Sequence, residues 1–225
     1  MWQGAKRPQP NAQRGAGQAA SLLPRLAGRE YKMQILIGTN NSGKFKNYKD
    51  AFTIYAPKIN LLTPSDLKMT EEPEEDAESL SGNAVKKAKF FGEKSKIITL
   101  SDDTGLFVDA LNGEPGMHAK RWHVGSDHDR CIKLLGRLEG KNRTASYKWS
   151  FAAYNPLNNK IWTFEYELEG LIADEFRDNG GFGYDKMFKL ASLNKYYSEL
   201  SVVELAEIGG RGRAVKELLS TNFLK

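Results

Sequence analysis

The chain has 225 residues, of which 40% are hydrophobic and 27% charged, a composition typical of globular proteins that excludes a fibrous or low-complexity one. No apolar run approaches the ~20 residues of a membrane-spanning helix, so no membrane segment is predicted. The net charge of +5 suggests a nucleic-acid binder, but residues 1–32 hold six basic residues and one acidic residue, whereas residues 33–225 hold 27 of each. The excess charge therefore belongs to the N-terminal segment, and nucleic acid is not a favoured partner of the remainder.

Residues 1–32 are rich in Gly, Ala, Gln, Pro and Arg and show no periodicity, which predicts a disordered basic extension. Two other interpretations remain open. The segment has the Arg-rich, acid-poor composition of an organelle-targeting peptide, or translation begins at Met33. Residues 33–225 are predicted to form the folded domain. The single cysteine, Cys131, cannot form an internal disulfide, which favours a reducing, cytoplasmic location.

The first predicted element is a strand, QILIGT, which ends at Gly38 and leads through GTNNSGK into a helix. Ser42 is the expected N-cap, and the helix has apolar residues at helical spacing from Phe45 onward. The loop nearly matches the phosphate-binding pattern G-x-x-x-x-G-K-[ST], but Phe45 replaces the hydroxyl residue that binds magnesium there. Backbone N–H groups, the helix dipole and Lys44 suit a polyphosphate. A capped helix with a solvated lysine is the structural alternative.

The next predicted elements are a strand at INLLT, an acidic loop TEEPEEDAES, and a helix that places Asn83 and Lys87 on one face. The apolar strand KIITL then leads into SDDTG. We expect Asp102 and Asp103 just past the end of that strand, where ligands of α/β sheets collect, and we favour a functional role over the structural alternative, a plain turn. Carboxylates from the acidic loop and from this pair are candidate magnesium ligands.

In the second half of the folded domain, the sequence predicts a helix around Cys131 and then a hairpin of two strands, ASYKWSFAAY and IWTFEYELEG, in which apolar and polar residues alternate. A short helix near 201–208 and a last helix from about 213 to 219 follow. Strands and helices that alternate around a central hairpin predict an α/β protein with a mixed, twisted sheet and flanking helices.

Five blocks in this order carry a family resemblance: GTNNSGK, EEDAESLSGNAVKKA, SDDTGLFVDALNGEPG, GGFGYDKMF and RGRA. Together they resemble the inosine triphosphate pyrophosphatase family over essentially the whole body, from Met33 to about Leu219. The resemblance implies magnesium-dependent hydrolysis of non-canonical purine nucleoside triphosphates to the monophosphate and pyrophosphate, which cleanses nucleotide pools. It also implies two lobes around a central cleft and a homodimer.

The resemblance also implies roles for individual residues. Asp103, Lys44 and Glu75 match catalytic positions, with Glu75 and Asp103 as metal ligands and Asp102 as a third candidate ligand. The residues that match the substrate-binding positions are Gly38, Thr39, Asn40, Asn41, Ser42, Gly43 and Lys44 in the loop, then Asn83, Lys87, Thr104, Arg121, Phe182, Gly183, Tyr184, Asp185 and Arg211. Among these, Lys87 and Arg121 match basic residues of the phosphate site, whereas Phe182 to Asp185 match the segment beside the base and sugar.

The chain departs from the family pattern at its base-reading end. Leu205 and Gly209-Gly210 stand where the family usually has a lysine and Ser-His, and Gly82 and Lys186 replace a usual Glu and Pro. We expect catalysis to be kept and selectivity for inosine and xanthine over adenine to weaken, because the lost side chains are hydrogen-bond donors. Three alternatives remain: a P-loop kinase or ATPase, a catalytically silent nucleotide-binding or regulatory protein, and a nucleic-acid binder that uses the basic tail.

Overall fold

The structure is a computed structural model that describes residues 33–177 and 180–225, so the expectations for residues 1–32 lie outside the described residues. The strands are β1 Met33–Ile37, β2 Ile59–Leu62, β3 Thr99–Val108, β4 Pro115–Gly116, β5 Thr144–Asn155, β6 Lys160–Ile172, β7 Phe188–Leu190 and β8 Lys195–Tyr196. The α-helices are α1 Ser42–Tyr55, α2 Leu80–Ser95, α3 Asp127–Arg137, α4 Val202–Ile208 and α5 Gly210–Ser220. In this part of the chain, no helix has the length and apolar character needed to span a bilayer.

The strands of the described residues form one eight-stranded mixed sheet in the order β2-β1-β3-β5-β6-β7-β8, with β4 paired to β3. β1 runs parallel to β2 and β3, and every other pairing is antiparallel. The predicted class, an α/β fold with a mixed sheet and flanking helices, is confirmed. The two lobes around a cleft stay a prediction.

The alternation of β5 places two sets of side chains on the two faces of the sheet. Its buried face packs into the main core with residues of α1, α3 and α5: Ala145, Tyr147, Trp149, Phe151 and Ala153. Ala152 and Tyr154, on the opposite face, pack against Ala84 and Ala88 of α2. Helices therefore cover both faces, and burial of a side chain such as Phe151 stabilises the fold by about 1.5–3 kcal/mol.

Three expectations from the sequence are wrong in detail. Asn41, not Ser42, caps α1, since its side chain accepts a hydrogen bond from the Lys44 N–H at 2.9 Å. Asp102 and Asp103 lie inside β3 rather than beyond its end, because a continuous antiparallel ladder to β5 overrides the turn tendency of SDDTG. The last helix starts at Gly210, which places Arg211 in its first turn.

Candidate active site

The glycine- and asparagine-rich loop between β1 and α1 forms one wall of a cavity of ≈ 500 Å³. Gly38, Thr39, Asn40, Asn41 and Lys44 all line this cavity, whereas Ser42 and Gly43 line an adjoining one of ≈ 800 Å³. The Lys44 side chain is only 17% exposed, and its Nζ lies 3.0 Å from an Asp102 carboxylate oxygen. The interpretation of Lys44 as a solvated surface lysine is therefore wrong.

Phe45 packs against the main core, so the position that carries a hydroxyl in a P-loop has a structural role here. The carboxylates must then supply any metal ligands.

Asp102 is the centre of a buried charge cluster on the α1 and α5 face of the sheet. Its carboxylate is fully buried and pairs with Arg211 at 2.7 and 3.3 Å. The hydroxyls of Tyr48 and Thr104 each donate a hydrogen bond to it at 3.0 Å. Although burial acts to raise the pKa of Asp102, the neighbouring Arg211 and Lys44 hold that pKa well below its usual range. Asp102 therefore anchors two cations, and its oxygens are already engaged.

Asp103 projects to the opposite face of the sheet, because neighbouring residues of a strand alternate in direction. Asn83 of α2 donates a hydrogen bond to it at 2.9 Å. The Lys87 ammonium, also on α2, lies 3.5 Å from Asp103 and 2.7 Å from Glu75 of the acidic loop. Burial acts to lower the pKa of Lys87, but the surrounding carboxylates raise it above its usual value. Glu75 and Asp103, which are distant in the sequence, therefore meet at one ammonium group.

Besides the contact between Glu75 and Lys87, two hydrogen bonds hold the acidic loop at the cavity. Asn40 donates a hydrogen bond to the Glu72 carboxylate at 2.6 Å, and Arg121 donates one to the Glu75 carbonyl at 3.1 Å. The Arg121 side chain is 58% exposed and lies 4.0 Å from the Glu75 carboxylate, so that contact is weak. Arg121 mainly holds the backbone of the loop.

The glycine-rich segment places Phe182, Gly183, Tyr184 and Asp185 in the wall of the same cavity. Phe182 lies against α1 so closely that a Cβ on Gly43 would be 2.4 Å from its ring. The Asp185 carboxylate is buried and accepts hydrogen bonds from the Tyr147 hydroxyl at 3.0 Å and the Phe182 N–H at 3.1 Å. Burial raises the pKa of Asp185 to about 6. Its contacts make Asp185 a support of the segment.

Gly183 and Tyr184 are fastened to other parts of the chain. The Gly183 N–H donates to the Asp127 carboxylate at 2.8 Å, and the Tyr184 hydroxyl donates to the Ala119 carbonyl at 3.2 Å. Ala119 lies in the connection after β4, and Asp127 is the first residue of α3, so this connection and α3 together hold the glycine-rich segment in place.

Two aromatic side chains occupy the space in front of the two glycines that precede Arg211. A Cβ on Gly209 would be 2.8 Å from the Tyr197 hydroxyl, and one on Gly210 would be 2.5 Å from the Trp149 ring. Leu205, the third departure from the family pattern, lines the adjoining cavity.

Four aromatic residues contact or line the site without having been expected there from the sequence: Tyr48, Tyr147, Trp149 and Tyr197. Periodicity assigned Tyr48, Tyr147 and Trp149 to the core. The only available signal was residue type, since buried Tyr and Trp usually seek a hydrogen-bond partner.

The carboxylates of Glu75 and Asp103 are the oxygen ligands that magnesium prefers. Among the described residues, however, no three Asp, Glu, His or Cys side chains come together as a metal site. The donor set thus fits a magnesium ion that takes its remaining ligands from phosphate oxygens and waters.

The fold and this site define an α/β protein with a cavity lined by a glycine- and asparagine-rich loop and by a carboxylate pair. A family model described as the Ham1 family matches residues 35–221, and the chain belongs to that family. This assignment confirms the predicted family and disfavours a P-loop kinase or ATPase.

Relatives and solved structures agree with the assignment. The chain is 36% identical over 191 residues to the dITP/XTP pyrophosphatase of Thermoanaerobacter sp. (strain X514). That alignment covers 83% of this chain and 94% of the relative. The chain is also 36% identical over 199 residues to the dITP/XTP pyrophosphatase of Leptospira interrogans serovar copenhageni, covering 86% and 98%. The HAM1 protein of Coxiella burnetii superposes with a TM-score of 0.72 at 28% identity, covering 84% of this chain and 97% of that one. The Ham1 protein of Staphylococcus aureus gives 0.70 at 30% identity, covering 83% and 96%.

Proposed function

We propose that this protein is a magnesium-dependent pyrophosphatase that hydrolyses non-canonical purine nucleoside triphosphates to the monophosphate and pyrophosphate and so cleanses nucleotide pools. The observation that carries the proposal is the convergence of Glu75 and Asp103 on Lys87, in the wall of the cavity that Lys44 and the loop also line. The names of the relatives, dITP/XTP pyrophosphatase, support the substrate class.

The triphosphate binds where positive charge and N–H donors gather. The cluster of Lys44, Arg211 and Asp102 carries two positive charges and one negative, so it attracts an anion. The N-terminus of α1 adds backbone donors and the positive end of a helix dipole. These groups hold the phosphate chain and fix its position, which accounts for much of the catalysis of phosphoryl transfer.

The trio of Glu75, Asp103 and Lys87 carries a net charge of −1 and suits a cation. Glu75 and Asp103 are the residues that would hold magnesium, whereas Asp102 is left out because Arg211, Lys44 and two hydroxyls engage its oxygens. When bound, the ion supplies positive charge against the phosphate oxygens.

Asp103 has a second role in the proposed reaction, as the acceptor of a proton from the attacking water. Asn83 orients its carboxylate through the 2.9 Å hydrogen bond. Lys87 keeps the carboxylates of Glu75 and Asp103 close together.

The decisive experiment measures pyrophosphate release by the full chain from ITP, XTP, dUTP and the ordinary nucleoside triphosphates, with and without magnesium. We expect turnover that requires magnesium and falls by about 10²–10⁴-fold in Asp103→Asn, the range typical for loss of a general base. The matched control is Asp109→Asn, an exposed aspartate just beyond the end of β3, which should keep wild-type activity. Turnover that is unchanged in Asp103→Asn refutes the assignment.

Base selectivity is the part of the proposal in which this chain differs from its family pattern. Glycine at 209 and 210 and leucine at 205 offer no side-chain donors, so we propose weakened discrimination against adenine. A clean, strong preference for ITP in the same assay contradicts this part alone.

The same glycines favour a second candidate function, a catalytically silent nucleotide-binding or regulatory protein. Nucleotide binding by calorimetry, without pyrophosphate release under any metal condition, identifies that function. A cytoplasmic homodimer remains a prediction of the sequence, and sedimentation velocity tests the dimer.

A further inference from the structure

Trp149 carries the one buried side-chain nitrogen or oxygen, among the described residues, that has no hydrogen-bond partner. The residue is 3% exposed, and it lines the same cavity as Lys44, Asp103 and Arg211. Buried polar groups are almost always paired, so an unpaired indole N–H beside a binding cavity requires an explanation.

The indole is fixed in orientation by its neighbours. Tyr166 stacks on it at a centroid distance of 5.9 Å and an interplanar angle of 24°, and Tyr147 and Tyr197 lie 5.2 and 6.3 Å away. On the fourth side, a Cβ on Gly210 would be 2.5 Å from the ring. Trp149 therefore fills the space that a side chain at position 210 would need.

The polar groups around the indole are engaged with other partners. The Tyr197 hydroxyl faces the backbone of Gly209 and Gly210, and although burial raises the pKa of Tyr197, the Gly210 N–H acts to lower it. The Asp185 carboxylate is held by Tyr147 and Phe182, and the Arg211 guanidinium is held by Asp102. Within the described part of this wall, the Trp149 N–H is a donor that the protein itself leaves unused.

We propose that Trp149 is a specificity-determining residue, whose N–H donates a hydrogen bond to a ring carbonyl oxygen of the bound base. The inference rests on the proposed function and names its substrate class as oxo-purine nucleotides. An exocyclic amino group, as in adenine, would present a second donor to the indole and leave both unpaired, which is how a polar site rejects an analogue. One N–H discriminates less than the lysine, serine and histidine of the family pattern together, so this hydrogen bond is compatible with the weakened selectivity proposed above. The nitrogen is covered in the structure, so the proposal requires the side chains over it to move when the base enters, while the stacked indole keeps its orientation.

The test compares ITP with purine riboside 5′-triphosphate, the same ring system without the 6-oxo group and with N1 as an acceptor instead of an N–H donor. Because this second difference is the same in both proteins, the effect of the substitution at Trp149 reports on the carbonyl. Trp149→Phe removes the N–H and keeps an aromatic ring. We expect kcat/KM for ITP to fall about tenfold, which corresponds to ~1.4 kcal/mol, while kcat/KM for purine riboside triphosphate stays within about twofold. Trp162→Phe, a partly buried tryptophan on β6 that does not line the cavity, is the matched control and should change neither value.

A parallel fall for both nucleotides means that Trp149 only supports the fold, and it overturns the proposal. If Trp149→Phe does not fold, the wild-type ratio decides, since equal kcat/KM for the two nucleotides also overturns it. If the wild type releases no pyrophosphate at all, the proposed function fails, but equilibrium binding of the two nucleotides still tests the hydrogen bond. A wild-type preference for ITP in binding that Trp149→Phe abolishes then supports the inference.

Discussion

Asp102 and Asp103 are neighbours in β3, and we assign a structural role to the first and a catalytic role to the second. Replacement of Asp102 by asparagine tests this assignment. The substitution keeps the shape of the side chain and removes the charge that balances Arg211 and Lys44, whose groups lie 2.7 and 3.0 Å away. Asp102 is completely buried and Arg211 is 5% exposed at the side chain, so water cannot replace the lost partner. Breaking a buried ion pair by removal of one member typically costs about 3–5 kcal/mol.

That cost is a large part of the roughly 5–15 kcal/mol that stabilises a domain. For a chain of this length, each kcal/mol lowers the melting temperature by about 2–4 °C, so Asp102→Asn should melt about 6–20 °C lower. Urea unfolding followed by circular dichroism measures the free energy of unfolding, and thermal unfolding measures the melting temperature.

Asp103→Asn is the matched comparison. Its Lys87 partner keeps the shorter contact to Glu75 at 2.7 Å, so we expect stability within about 1 kcal/mol of the wild type together with the loss of activity. If Asp102→Asn costs less than about 1 kcal/mol, or if Asp103→Asn costs as much, the assignment of a structural and a catalytic aspartate is refuted.

Three further predictions concern the glycine contacts and pH. Gly43→Ala improves helix propensity, but the added methyl group would lie 2.4 Å from the Phe182 ring, so Phe182 must shift. We therefore expect a raised KM for the nucleotide. An unchanged KM together with a higher melting temperature contradicts a role of this contact in binding. Because the pKa of Asp185 is raised to about 6, its contribution to stability is complete below about pH 4 and is lost as the pH rises through 6. The free energy of unfolding in urea, measured between pH 4 and 7, should decline with pH in the wild type and less steeply in Asp185→Asn. Equal dependence on pH in the two proteins would show that Asp185 is not the titrating group. Gly210→Ala should lower the melting temperature by contact with Trp149, and Trp149→Leu should relieve part of that loss; additive effects of the two changes speak against the contact.

Local patterns in the sequence were sufficient for most elements of the fold. The alternation around Trp149 and the helical spacing from Phe45 identify β5 and α1, because each reports which side chains face a core. The turn residues of SDDTG were misleading, since pairing with a distant strand decided the conformation of Asp102 and Asp103.

The candidate site was less accessible to the sequence than the fold. The resemblance pointed to Glu75, Asp103 and Lys87, but the ion pair between Asp102 and Arg211 joins residues 109 positions apart, and no local pattern records it. Likewise, periodicity places Trp149 in the core without telling whether its N–H is satisfied. That depends on Gly210, a residue of another element.

The position of Arg211 in the first turn of α5 ties that helix to the middle of the sheet, because its guanidinium pairs with the buried carboxylate of Asp102 in β3. If α5 came loose, the carboxylate would stay in the interior without this partner, and breaking a buried ion pair typically costs about 3–5 kcal/mol. Partial unfolding of α5 should therefore be rare, and it should occur together with disruption of the charge cluster around Asp102.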